Sequence, residues 1–271
     1  MICNNCSHNC DIREGMTGAC HARSVRDGKI VSDNYGKVTS LALDPIEKKP
    51  LAMFYPGTRI LSVGSYGCNM HCRWCQNDSI SRGPVECDRL TCEELIAIAC
   101  DTRSRGNIGI AYTYNEPSVG YEYVLDCARL AKDNDLVNVM VTNGMLSRDR
   151  FDELLRYIDA YNIDLKTGKA DRYASIGGDL DLIVDNIRSA NKYGRHVELT
   201  TLVVPGFNDD EDDFLTIVSA VAGIDPKIPL HITRFFPAGM MRTDLPTDLD
   251  ILYRFRDMAR AKLDNVFLGN V

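Results

Sequence analysis

No apolar run in this 271-residue chain approaches the roughly 18 residues that a membrane-spanning helix requires. The opening segment, Met1-Ile2-Cys3-Asn4-Asn5-Cys6, lacks the basic and apolar regions of a secretion signal. There is no basic tract, and 31 Lys and Arg against 38 Asp and Glu leave a net charge of −7. That balance argues against a nucleic-acid or anionic-membrane surface. Gly and Pro are scattered without period, which excludes a fibrous repeat, and a hydrophobic content of 45% excludes intrinsic disorder. With no export signal, the expected location is the reducing cytoplasm.

What the chain does have is cysteine, 11 in all, an odd number that a fully paired secreted scaffold avoids. In a reducing compartment such residues read as metal ligands or reactive thiols before they read as disulfides. Cys3, Cys6, Cys10 and Cys20 open the chain, Cys68, Cys72 and Cys75 form a second group, and none follows Cys127. Cys87, Cys92, Cys100 and Cys127 fall on or beside expected helices and read as ordinary core or surface thiols.

Residues 1–58 are expected to form an irregular, Cys-rich extension with short β-like stretches at 29–31 and 37–41. From residue 59 to 271 the texture changes to short β-branched runs alternating with longer amphipathic segments, the pattern of βα units around a parallel sheet. Strands are predicted at 60–65, 108–113, 136–142, 160–165, 196–203 and 230–235, with a possible seventh at 266–268. Helices are predicted at 91–102, 118–133, 147–158, 180–192, 210–221 and 247–263. Thr91 with Glu94 three residues on has the form of a capping box.

Polar residues gather after all six predicted strands: Gly67-Cys68-Asn69, Tyr114-Asn115-Glu116, Asn143-Gly144, Asp164 with Lys166, Pro205-Gly206, and Arg234 with Pro237. A doubly wound sheet focuses its ligand groups at one switch point, whereas an α/β barrel rings one face with them. The α/β fold predicted is therefore a partial six-unit (β/α) barrel.

The strongest chemical signal is Gly67-Cys68-Asn69-Met70-His71-Cys72-Arg73-Trp74-Cys75, directly after the first barrel strand. Three thiolates spaced C-x3-C-x2-C on one loop suit three corners of an iron–sulfur cube, leaving the fourth iron open for a reactant. A three-Cys zinc site with a nearby His, or inert buried thiols, are the plainer alternatives. Cys3, Cys6, Cys10 and Cys20, with His8 and His21 close by, suit structural zinc or an auxiliary iron–sulfur cluster. A lone His on a strand is usually a satisfied core residue, and His231 is read so.

The C-x3-C-x-aromatic-C motif at the end of the first strand of such a barrel resembles the radical S-adenosylmethionine superfamily. Asp44-Pro45-Ile46-Glu47-Lys48-Lys49-Pro50-Leu51, Phe54-Tyr55-Pro56-Gly57, Tyr112-Thr113-Tyr114-Asn115-Glu116-Pro117, Asn162-Ile163-Asp164-Leu165-Lys166, Val203-Val204-Pro205-Gly206-Phe207-Asn208-Asp209 and His231-Ile232-Thr233-Arg234-Phe235-Phe236-Pro237 extend the likeness. They are similar to one subgroup, the radical enzymes of the AmmeMemoRadiSam system, relatives of the pyruvate formate-lyase activating enzymes. That subgroup continues past Gly269-Asn270-Val271 into a tail with a further Cys pair, which this sequence does not include.

The resemblance implies a [4Fe–4S] cluster on Cys68, Cys72 and Cys75 that reductively cleaves S-adenosylmethionine. The resulting 5′-deoxyadenosyl radical takes hydrogen from a substrate, here expected to be a protein or peptide such as a glycine Cα–H. It also implies an electron donor of the flavodoxin or ferredoxin kind and, from the subgroup's name, partner proteins of the two other AmmeMemo families. Glu116 matches the last residue of the family's Gly-Gly-Glu segment, but Tyr114 and Asn115 replace its glycines. Asp164 and Lys166 match the family's Asp-x-Lys, so Asn115, Glu116, Asn143, Asp164 and Lys166 are the expected cofactor-binding residues. Val204-Pro205-Gly206 corresponds to the edge packed against adenine. Two rivals stand beside this reading: a zinc-braced binding module, and an electron-transfer protein needing a fourth cysteine for which Cys87 is the nearest candidate.

Overall fold

The computed structural model describes residues 1–271. Its strands are β1 (Arg23–Arg26), β2 (Lys29–Ser32), β3 (Lys37–Val38), β4 (Ser40–Pro45), β5 (Arg59–Gly64), β6 (Asp88–Arg89), β7 (Asn107–Tyr112), β8 (Val137–Thr142), β9 (Ala160–Asp164), β10 (His196–Val203), β11 (Leu230–Arg234) and β12 (Val266–Gly269). The helices are α1 (Asp78–Ser81), α2 (Cys92–Asp101), α3 (Tyr121–Asp133), α4 (Arg148–Leu154), α5 (Ala170–Ser175), α6 (Leu180–Lys192), α7 (Glu211–Ala222) and α8 (Leu249–Arg260). No helix is long and apolar enough to cross a membrane.

One eight-stranded sheet dominates, ordered β12-β11-β10-β9-β8-β7-β5-β4. Its seven strands from β5 to β12 pair in parallel. Their order never reverses, so the sheet has no topological switch point, and the ligand groups fall along one curved edge of strand ends. The sheet does not close: β12 and β4 are its two edges.

Two layers of side chains follow from the period-two alternation of each strand. Outward-facing residues such as Tyr161, Ile163 and Leu199 pack with the helices in a core of 53 buried residues. Inward-facing Ile60, Ala111, Val139 and Ala160 meet Ile46 and Leu51 in a small second core. The segment after β4 thus plugs the end of the sheet where the parallel strands begin. Polar inward residues lie above this plug, toward the strand ends.

β10 and α6 have the bounds expected, and the Thr91 capping box is formed, with Glu94 N donating to Thr91 Oγ1 at 3.2 Å and Thr91 N to Glu94 Oε2 at 2.8 Å. Three expectations need correcting. The stretch 37–41 divides at Thr39 into β3 and β4, and β4 pairs antiparallel with β5, so the extension supplies an edge strand of the main sheet. The helix expected from 118 begins only at Tyr121, after a 3-10 turn over Pro117–Gly120 that Glu116 caps by accepting from Ser118 N. The helix expected to reach 158 ends at Leu154 and continues as turns.

Candidate active site

The loop after β5 is fixed from several sides. Gly67 N donates to Ile80 O at 2.8 Å, and His71 N donates to Ile176 O at 2.8 Å. Arg82, paired with Asp78 at 2.6 Å, donates to Cys72 O at 3.0 Å. Trp74 is buried against Phe207, ring centroids 4.4 Å apart, which anchors the end of the cysteine motif on the segment after β10.

Cys68, Cys72 and Cys75 face one cavity of about 670 Å³ at the strand ends, and Asn115, Glu116, Asn143, Asp164 and Lys166 line the same cavity. The structure therefore brings all eight residues singled out for this site to one place. A volume of this size is in the range of small-molecule sites. The wall carries no fourth cysteine and no histidine. No three Cys, His, Asp or Glu side chains converge on a point as ligands of a single ion. Thiolates on one zinc lie about 3.8 Å apart, by the tetrahedral geometry of 2.3 Å Zn–S bonds. Three thiols from one loop, with no fourth protein ligand in the wall, suit three corners of an iron–sulfur cube. Burial pushes the Cys68 and Cys72 thiols up, and Glu116 adds to the effect on Cys68; thiols so placed need a cationic partner to ionise.

Glu116 is buried and accepts from Ser118 N at 2.9 Å, Thr142 Oγ1 at 2.7 Å and Asn143 N at 2.7 Å. These bonds tie the end of β7 to that of β8 and offset much of the burial that raises its pKa. Oε2 takes only one of the three, leaving it free to accept another. Asn115 accepts from Ser65 N and donates to Gly67 O, so its amide braces the cysteine loop. Asn143 Nδ2 reaches Asn69 Oδ1 at 2.9 Å and Cys68 Sγ at 3.8 Å. Lys166 Nζ meets Asp164 Oδ2 at 2.7 Å. Burial opposes the ammonium charge, but Asp164 and Cys72 outweigh it and hold Lys166 protonated.

Two other expected positions serve the scaffold. A Cβ on Gly144 would meet Ile163 and Ile183, so this glycine allows close packing of the core. Val204-Pro205-Gly206 forms a turn in which Val204 N donates to Asn208 Oδ1 at 2.6 Å, and Thr200 and Leu202 line the cavity beside it. His231 is satisfied, as expected: its Nε2 pairs with Glu198 Oε2 at 2.6 Å.

A polar cluster of residues that the sequence marked only as part of the family likeness also lines the cavity. Asp44, at the end of β4, takes Lys49 Nζ at 2.8 Å and Tyr114 OH at 2.7 Å on one oxygen, with the Lys49 ammonium 4.7 Å from the centre of the Tyr114 ring. Tyr114 has φ +72°, a strained value for an aromatic residue. Burial and the Asp44 carboxylate push its phenol up to about 12.

The family model described as the Radical SAM superfamily matches residues 62–218. An uncharacterised protein of Methanocaldococcus jannaschii is 40% identical over 99% of this chain and 81% of its own length. Among solved structures, a radical SAM methyltransferase from Sphaerobacter thermophilus superposes with a TM-score of 0.61 at 18% identity, over 80% of this chain and 67% of that one. A domain of the pyruvate-formate lyase-activating enzyme from Bacteroides vulgatus gives 0.51 at 18% identity, over 60% and 99%.

Proposed function

The chain belongs to the radical SAM superfamily, and on that premise we propose that it is an activating-enzyme-like radical enzyme acting on a protein or peptide. Bound to this site, a [4Fe–4S] cluster and S-adenosylmethionine supply one-electron reductive cleavage of the sulfonium, yielding a 5′-deoxyadenosyl radical that abstracts hydrogen. The observation that carries the reading is the cavity wall, which presents three thiols, no further cysteine or histidine, and an unequal set of charges beside them.

Cys68, Cys72 and Cys75 hold the cluster. Lys166 offers its ammonium to a carboxylate, while Asp164 and the remaining lone pair of Glu116 accept from an ammonium, the two groups of a zwitterionic amino acid. Asn115 and Asn143 position the cysteine loop. The Asp44–Lys49–Tyr114 cluster adds a carboxylate, an ammonium and a phenol to the cavity wall.

A macromolecular substrate is supported by the segment after β11. Met240 N donates to Arg73 O at 2.7 Å, and a Cβ on Gly239 would meet Cys75 O at 2.9 Å, so this segment lies on the cluster loop. It exposes Phe236, Met240 and Leu245 to solvent on the segment that lies against that loop. Exposed apolar side chains on one segment suit a docking peptide. An electron donor of the flavodoxin or ferredoxin class, and partner proteins of the AmmeMemo families, belong to the same proposal.

The test is isotope transfer. Anaerobically reconstituted protein is given dithionite, S-adenosylmethionine and candidate partner proteins deuterated at glycine Cα. Deuterium in the 5′-deoxyadenosine formed supports the reading; 5′-deoxyadenosine without deuterium from any labelled protein rejects the protein-substrate part of it.

A further inference from the structure

Outside the active-site cavity the cysteines fall into two sets. Cys3, Cys6, Cys10 and Cys20 line one small cavity under the N-terminal turns, where no three ligating side chains converge on an ion. Cys87, Cys92, Cys100 and Cys127 read from the sequence as ordinary thiols, but two of them meet. Cys127 Sγ donates to Cys92 Sγ at 3.0 Å.

The helices bring this pair together. Cys92 is the first residue of α2, just inside the Thr91 cap, and Cys127 lies at the midpoint of α3. The two helices pack on each other and both back onto β7. The bonded sulfurs of a disulfide stand about 2.05 Å apart, so closing this gap asks for a movement of about 1 Å. Side chains can supply that without displacing either helix.

The two thiols are unequal. Cys127 is fully buried, whereas Cys92 is 8% exposed and lines a surface cleft of about 670 Å³ with Leu90, Asp126 and Arg129. The hydrogen bond from Cys127 brings the Cys92 thiol below its ordinary pKa against the opposing effect of burial. Its place at the start of α2, beside free backbone N–H groups, favours the same thiolate. Burial, with the Cys92 sulfur beside it, pushes the Cys127 thiol up, so Cys127 keeps its proton. Cys92 is the nucleophile an oxidant can reach, and Cys127 is the partner that resolves it.

We infer that Cys92 and Cys127 are a redox-modification site, a dithiol that a hydroperoxide converts reversibly to a disulfide stapling α2 to α3. The Cys92 sulfur attacks hydrogen peroxide: an S–O bond forms, the O–O bond breaks, and the thiol proton leaves with hydroxide as water. The Cys127 sulfur then attacks the sulfenic sulfur: the S–S bond forms, the S–O bond breaks, and the Cys127 proton leaves in a second water. The two sulfurs together lose two electrons and the peroxide gains them. A reducing thiol reverses the change by exchange. The cysteines stand 35 positions apart, and the loop they close contains β7, Asn115 and Glu116. Neither thiol lines the active-site cavity, so the pair stands or falls apart from the function proposed for that cavity.

The full-length reconstituted protein is treated with excess hydrogen peroxide, quenched in acid with N-ethylmaleimide and mapped by mass spectrometry. We expect a linked Cys92–Cys127 peptide in most chains, which dithiothreitol removes before alkylation. Cys127→Ser should stop at the first step, with a Cys92 sulfenic acid that dimedone traps. Wild type treated with peroxide should unfold about 5 °C or more above Cys92→Ser treated alike, as a closed loop of this length implies. The wild-type map decides the matter whatever the variants' folding. Cys92 and Cys127 both alkylated after peroxide, Cys92 linked to another cysteine, or Cys92 carried to sulfinic acid beside a reduced Cys127 would each overturn the inference.

Discussion

The carbonyl oxygen of Cys20 lies 2.7 Å from where a Cβ on Gly67 would stand, so the two cysteine-bearing loops touch at a position only glycine can occupy. Gly67 also has φ +93°, outside the range of L side chains. Its place one residue before Cys68 makes this contact the hinge on which the cluster loop rests.

Gly67→Ala is therefore expected to displace Cys68 and reduce bound iron by half or more after reconstitution. Gly57→Ala serves as the control, because Gly57 shares a positive φ of 81° but has nothing within 4 Å of the added methyl. Iron assays on both variants separate lost space from backbone strain. Equal iron in Gly67→Ala and wild type contradicts the expectation.

Lys49 is 3% exposed and depends on Asp44 for its charge. Asp44→Ala strands this ammonium and is expected to cost about 3 kcal/mol in urea denaturation. Adding Lys49→Met should recover most of the loss, since a well-packed apolar side chain replaces a buried pair at little cost. Additive losses in the two single variants and the double variant would show that the pair is not coupled.

Glu198 is fully buried and accepts from Ala52 N at 2.9 Å, Met53 N at 2.8 Å, His196 at 2.8 Å and His231 at 2.6 Å. Burial alone would raise its pKa, but the two histidines and two amides bring it down to about 2. A carboxyl whose folded pKa lies below its unfolded one stabilises above the unfolded value, near 4.5, and loses that contribution as pH falls toward 2. Wild type is expected to lose on the order of 2 kcal/mol across this window through Glu198. Glu198→Gln should be less stable at neutral pH and show a flatter acid limb. Parallel limbs for the two proteins would refute the assignment.

Lys166→Met removes the ammonium that faces the cluster thiols and leaves Asp164 half-exposed. Iron content should stay near wild type, while S-adenosylmethionine affinity falls about tenfold or more, the loss of one charge-assisted contact. Equilibrium binding to the reconstituted variant measures it. Unchanged affinity would reduce the Lys166–Asp164 pair to scaffold.

Much of this was legible in the sequence where a local pattern carries the information. The apolar alternation of β10, the periodicity of α6 and the Thr91–Glu94 spacing each lie within one element. So does the C-x3-C-x2-C loop, whose ligands need only eight residues of chain to come together. β4 was hidden because it is an edge strand with exposed Leu41 and Ala42, so it lacks the apolar run of its buried neighbours. The grouping of Asp44, Lys49 and Tyr114, residues that the sequence marked only as part of the family likeness, was hidden for another reason. The bond between Tyr114 and Asp44 spans 70 residues of sequence, and only the antiparallel pairing of β4 with β5 brings them into one cavity. Glu198 likewise meets Ala52 across 146 residues.

The account turns on one iron free of protein ligands. Electron–nuclear double resonance on the reduced, reconstituted protein, with S-adenosylmethionine labelled by nitrogen-15 at its amino group, tests this directly. A nitrogen-15 coupling that vanishes when unlabelled S-adenosylmethionine is substituted is the predicted result. An intact [4Fe–4S] signal with no such coupling, carrying a permanent protein ligand at its fourth iron, would contradict it.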